Sequence, residues 1–125
     1  MCYQEDMSQG KHVHHAIDYI ELTVTDVAAA KRFYAGAFGW EFTDYGDAYA
    51  GIKGEGREVG GLRQDQLVPP GGPLVVLYSE DLDATLARVR EAGGRIVKEP
   101  FGFPGGRRFE FADPSGNVLG VWSPA

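Results

Sequence analysis

The chain has 125 residues, 43% apolar and 24% charged, which fits one globular domain with a core of its own. Its net charge of −6 argues against a nucleic-acid partner, whose phosphates call for a basic face, and no run approaches the roughly 18 apolar residues that span a membrane. The single cysteine, Cys2, rules out an internal disulfide framework and makes the cytoplasm the expected location.

Residues 1–15 read as a flexible polar tail without the apolar stretch of a secretory signal. His12, His14 and His15 lie in it at no familiar metal-site spacing and read as solvated. The run Ile17 to Val24 then reads as a strand, and Asp26 is placed to cap a helix. In that helix Val27, Ala30, Phe33, Tyr34, Ala37 and Phe38 share one stripe, expected to pack on a core. Gly39 follows Asp26 by 13 residues and suits the left-handed helix end. Strands are expected at Trp40–Tyr45, Ala48–Lys53 and Val59–Arg63, and Gln64 to Gly72 reads as a connection.

The same layout then returns. Leu74 to Ser79 reads as a strand and Asp81 as a helix cap. Leu82, Leu86, Val89 and Ala92 form an apolar stripe, and Gly94 stands 13 residues after Asp81. Strands are expected at Arg95–Lys98, Arg107–Ala112 and Asn117–Ser123. Between the first two, Pro100 to Gly106 reads as a loop with two aromatics, a lid or a dimer contact. Asp113-Pro114-Ser115-Gly116 suits a type I turn. The order β-α-β-β-β, met twice, gives an α+β fold of two modules: one at about residues 16–63, a linker at 64–72, and one at about 73–125.

Alternation assigns faces to the strands. Ile20, Leu22 and Val24 belong under a helix, with Tyr19, Glu21 and Thr23 opposite. Phe109 and Phe111 suit the helix side, with Arg108 and Glu110 opposite. Leu119 and Val121 suit the helix side, leaving Val118, Gly120 and Trp122 opposite. A slip of one residue reverses every assignment.

Tyr19-Ile20-Glu21-Leu22-Thr23-Val24-Thr25-Asp26, followed by Phe33-Tyr34 and Phe38-Gly39-Trp40-Glu41-Phe42, is similar to the opening of vicinal oxygen chelate proteins, the glyoxalase/bleomycin-resistance/dioxygenase superfamily. Phe111-Ala112-Asp113-Pro114-Ser115-Gly116-Asn117 resembles their C-terminal turn. The resemblance implies two βαβββ modules whose curved mixed sheets enclose a concave pocket, and a homodimer. It implies activities from glyoxalase and epimerase to ring-cleaving dioxygenase and drug sequestration without catalysis, so the fold does not choose among them.

In metal-dependent relatives four strands each carry a ligand. Carried over, those positions fall on Tyr19, on Gly60 or Gly61, near Leu74, and on Gly120. Gly and Leu offer no donor and a lone phenol is a poor anchor, so no metal and no other cofactor is expected. The resulting expectation is a small-molecule-binding protein that takes an apolar or aromatic ligand. Its site is lined by Tyr19, Glu21, Tyr78, Arg108, Gly120 and Trp122. The alternative is an enzyme of the same superfamily, of lyase, isomerase or dioxygenase type. It would be metal-independent, with Glu21 or Glu110 as acid–base group, or would use rearranged metal ligands. A third reading is a dimeric structural domain whose pocket is filled by its own side chains.

Overall fold

The computed structural model describes residues 11–125; Cys2 and residues 1–10 of the expected tail lie outside the described residues. The elements are β1 (Ile17–Val24), α1 (Val27–Phe38), β2 (Phe42–Asp44), β3 (Tyr49–Lys53), β4 (Glu58–Gln64), β5 (Leu74–Tyr78), α2 (Leu82–Glu91), β6 (Arg95–Phe103), β7 (Gly106–Ala112) and β8 (Val118–Ser123). They fall into two compact units, one containing Tyr19–Pro73 and the other His12–Asp18 with Leu74–Ala125.

In the first unit the strands run in the order β2-β3-β4-β1. β4 lies parallel to β1, and the other pairs are antiparallel. The second unit repeats this as β6-β7-β8-β5, with β8 parallel to β5. Each unit is thus a βαβββ module with a mixed sheet, and the fold is α+β.

Both helix starts form as their sequence requires. The Asp26 carboxylate accepts from the Ala29 N–H at 3.0 Å and that of Asp81 from Ala84 at 3.1 Å. Gly39 closes α1 in the left-handed region at φ +74°. At the end of α2 that conformation belongs to Gly93, at φ +100°, one residue earlier than expected. Gly94 is needed for closeness instead, since a Cβ there would lie 2.6 Å from the Val89 side chain.

The apolar stripe of α1 corrects its expectation. Val27 is its one buried residue; Phe33 and Phe38 are 60% and 65% exposed. Their rings meet each other and Tyr34 edge-on or stacked, and Tyr34 stacks on Trp40 at 4.7 Å. The aromatics satisfy one another rather than the sheet. Besides Val27, the buried apolar groups of this unit are Ala50, Ile52 and Leu62 among the described residues. Ile20 is 44% exposed while its neighbour Glu21 is 6% exposed, so burial on β1 runs against hydrophobicity.

The second unit has a more ordinary core. Leu82, Phe109 and Val121 are fully enclosed, with Leu77, Leu86, Val89, Ile96 and Phe111 around them. Phe109, Phe111 and Val121 therefore take the helix face that alternation assigns them. The segment Pro100 to Gly106 is not a free loop. β6 continues through Phe103, pairing Phe101 with Arg108 and Phe103 with Gly106. Pro100 has no N–H to give to a ladder, and a register shift between Lys98 and Phe101 absorbs it.

Candidate functional site

In the first unit the side chains of Tyr19, Glu21, Tyr49, Glu58 and Arg63 meet on one face of the sheet. Strand pairing places Glu21 beside Gly61, and Gly61 beside Gly51. These two glycines form the floor. A Cβ on Gly61 would collide with the Tyr49 and Tyr19 hydroxyls, and one on Gly51 with the Glu58 carboxylate. The space that a ligand-bearing side chain would need at Gly61 is thus already filled by phenols.

The phenol oxygens of Tyr19 and Tyr49 are 2.7 Å apart. Tyr19 donates to Glu58 Oε2 at 3.0 Å and Tyr49 to Glu21 Oε2 at 3.0 Å. Tyr45, from the β2–β3 turn, donates to the other Glu58 oxygen at 2.7 Å. Arg63 Nε stands 3.6 Å from Glu21 Oε1. Burial, above all, pushes the Tyr19 and Tyr49 phenols far above their ordinary range; carboxylate charge adds to both shifts, while their mutual hydrogen bond raises Tyr19 and lowers Tyr49. Both remain hydrogen-bond donors at neutral pH. For Tyr45 the hydrogen bond to Glu58 is the first cause of an upward shift.

Tyr19 and Glu21 were readable from alternation along β1. Tyr49 was missed, although the same alternation on β3 puts it in step with Gly51. Glu58 was not readable that way. It joins the face because the β3–β4 register shifts between Ile52 and Lys53, and a bulge re-aims the side chains beyond it.

The other expected site residues lie in the second unit. Tyr78, Trp122, Arg108 and Phe101 occupy one row across β5, β8, β7 and β6. Gly120 sits beside Val76 and Glu110 in the next row. Arg108 donates to Glu110 Oε2 at 3.2 Å and lies over the Phe101 ring at 5.4 Å. Trp122 Nε1 donates to Asp18 Oδ2 at 2.9 Å, and Asp18 is 5% exposed. Phe103 approaches the Trp122 ring at 6.4 Å.

Sequence reading missed His12 as part of this face. It stacks on Tyr78 at 4.9 Å and 18°, meets Trp122 edge-on at 5.3 Å, and contacts Asp18 Oδ1 at 2.7 Å. Its expected solvated state is corrected: Asp18 and two aromatic rings hold it. His14 and His15 are exposed, yet His14 accepts the Glu80 N–H at 2.9 Å and His15 bonds the Thr85 hydroxyl at 2.9 Å. A groove of about 500 Å³ opens elsewhere in this unit, beneath α2, and is lined by Leu77, Val89, Phe111 and Val121 with Arg88 and His15. Those residues belong to the helix side, so the groove is not over Trp122.

This repeated module with its aromatic and carboxylate faces has known counterparts. Residues 16–121 match the model of the Glyoxalase/Bleomycin resistance protein/Dioxygenase superfamily. The chain belongs to that superfamily. It is 33% identical over 124 residues to the anthracycline biosynthesis protein DnrV of Streptomyces peucetius, covering 83% of this chain and 45% of the relative. It is 29% identical over 118 residues to the putative glyoxylase CFP32 of Mycobacterium tuberculosis, covering 84% of this chain and 44% of that one. It thus spans under half the length of these glyoxalase-superfamily relatives. Among solved structures it resembles the Mn(II)-bound glyoxalase of Novosphingobium aromaticivorans, with a TM-score of 0.66 and 29% identity, over 90% of this chain and 40% of that one. The methylmalonyl-CoA epimerase of M. tuberculosis, at 18% identity and a TM-score of 0.69 over 98% of this chain and 96% of its own, shares the fold.

Glyoxalase-superfamily membership raises the question of a metal ion, and the residues present do not fit one. Tyr19 offers a single phenol, already bonded to the Tyr49 hydroxyl and the Glu58 carboxylate. Gly61 has phenols packed over it. A Cβ on Gly120 would meet only Leu74, Val76 and a backbone oxygen. Among the described residues no group of three or more His, Cys, Asp or Glu side chains is placed to hold an ion.

Proposed function

We propose that this glyoxalase-superfamily chain binds an apolar or aromatic small molecule on the sheet face of its second unit. Trp122 and Tyr78 stack on the guest, Gly120 leaves room, and Arg108 meets a polar edge. The observation that carries this reading is His12. Its flat ring lies parallel to Tyr78 and edge-on to Trp122, so the face takes a planar group at the spacing that aromatic pairs prefer. Two relatives, DnrV and DauV, are named anthracycline biosynthesis proteins, and an anthracycline is a fused-ring aromatic. A planar polycyclic guest suits a surface of this kind.

The test is Trp122 fluorescence in a Trp40→Phe background, titrated with soluble fused-ring aromatics. Binding should tighten in His12→Ala, which vacates the stacking position, and weaken in Gly120→Leu, which fills the space beside Leu74 and Val76. Hits that bind equally well to Gly120→Leu would remove this site assignment.

A second reading, an enzyme of the superfamily working without metal, is favoured by the Tyr19, Glu21, Tyr49 and Glu58 cluster. It pairs two phenol donors with two carboxyl groups, the materials of acid–base chemistry. Glu110 is less suited to that role, because Arg108 holds its carboxylate.

A further inference from the structure

Glu21, Tyr49, Tyr19 and Glu58 form an unbroken line of oxygen atoms. The three links measure 3.0, 2.7 and 3.0 Å. Each is a hydrogen bond and each needs one proton. A phenol brings one; an ionised carboxylate brings none. Three links and two phenols leave the line one proton short. If Tyr19 gives its proton to Glu58, and Tyr49 gives its own to Glu21, the two phenol oxygens face each other at 2.7 Å with lone pairs alone. One added proton removes that repulsion. The line can then run from Glu21 through both phenols to Glu58, or in reverse.

We propose that Glu21, Tyr49, Tyr19 and Glu58 share a single added proton and work as one acid–base unit. Arg63 Nε faces Glu21 Oε1, while the same guanidinium also pairs with Asp65 at 3.2 Å. Lys53 is the register partner of Glu58. Arg57 bonds the Glu58 backbone carbonyl, and Tyr45 donates to Glu58 Oε1. Gly51 and Gly61 add no charge. The unit thus carries one negative charge where two separate carboxylates would carry two, at a place where Glu21 is nearly closed to water. A carbonyl-bearing ligand that reaches either phenol meets a donor whose proton is replaced along the line. The opposite carboxylate can take a proton in return, with no change in net charge. This inference is independent of the aromatic face in the second unit.

Folding must then take up one proton at neutral pH, where both carboxylates of the unfolded chain are ionised. One proton taken up lowers the folding equilibrium constant about tenfold per pH unit. The experiment is urea unfolding of the wild type and Glu58→Gln between about pH 6.5 and 8.5, compared as a ratio so that other titrating groups cancel. In Glu58→Gln the amide N–H supplies the third hydrogen. The wild type should therefore lose about tenfold per pH unit relative to the variant. Parallel pH dependences overturn the proposal. Should Glu58→Gln fail to fold, the infrared spectrum of the wild type at neutral pH decides. A protonated-carboxyl carbonyl band that Tyr19→Phe abolishes supports the shared proton. A band that is absent, or that Tyr19→Phe leaves in place, overturns it.

Discussion

Gly61 and Gly120 occupy matching strands of the two modules, β4 and β8; the family resemblance carries one ligand position onto Gly60 or Gly61 and another onto Gly120. Their surroundings are opposite. Over Gly61 the hydroxyls of Tyr49 and Tyr19 occupy the place of a Cβ; over Gly120 the nearest atoms, on Leu74, Val76 and the Phe109 carbonyl, stand at 3.5–3.7 Å. Gly61→Ala must push the phenols apart and break their mutual hydrogen bond, so a loss of about 1–3 kcal/mol is expected. Gly120→Ala meets ordinary contacts and gains about 0.4–1 kcal/mol by stiffening the unfolded chain, so its stability should stay within about 1 kcal/mol of the wild type. Urea unfolding of the two variants checks this; equal losses would show that Gly61 is not the floor of a packed cluster. Both glycines were visible in the sequence as missing donors. Which was filled and which was open was not, because that depends on Tyr49, thirty residues from Tyr19 in sequence, reaching it across β4.

Local chemistry made most elements readable. The turn Asp113–Gly116 is an example. The Asn117 side-chain amide, first, and then its backbone N–H hold the Asp113 carboxyl below the usual carboxylate range. A depressed value means that this bond stabilises the fold above the ordinary carboxyl value of about 3.9 and ceases to do so as pH falls through the lower folded value. Asn117→Ala should therefore raise the Asp113 titration midpoint toward the ordinary value, followed by carboxyl carbon NMR. An unmoved midpoint would mean that the backbone N–H groups of residues 115–117 hold the carboxylate instead. Helix caps and this turn depend on neighbours within four residues, so the sequence displays them whole. The aromatic stripe of α1 depends on what lies across from it. Phe33 and Phe38 have the right period for a buried face, yet they stay exposed among Tyr34 and Trp40. The loop reading of Pro100 to Gly106 failed for a related reason. Pro and Gly mark breaks in a strand, but a register shift let β6 run past Pro100. Glu58 escaped notice for the same cause, a bulge that no alternating pattern announces.

At the scale of the whole chain, two expectations from the family meet the chemistry of this sequence. The first is the metal. The donor set does not fit, so elemental analysis after extensive dialysis should find well under one divalent ion per chain. Near-equimolar zinc, nickel, iron or manganese, lost in Tyr19→Phe or Glu21→Gln, would reverse that reading, whereas metal lost only on changing His12, His14 and His15 would not. The second is assembly. The ring cluster of Phe33, Tyr34, Phe38 and Trp40 leaves large apolar surface in water, with Phe33 and Phe38 more than half exposed, and contiguous patches of that kind mark association surfaces. Net charge of −6 opposes the pairing of two copies, but at physiological salt that repulsion is screened beyond about 8 Å, while burial of apolar area is not. Sedimentation equilibrium in physiological salt should therefore give twice the 13.6 kDa chain mass at micromolar concentration. Phe33→Ser with Phe38→Ser should weaken association without unfolding the chain, because neither ring is in a core. A monomer at that concentration, or a dimer indifferent to both changes, would mean that the aromatic cluster of α1 serves no self-association.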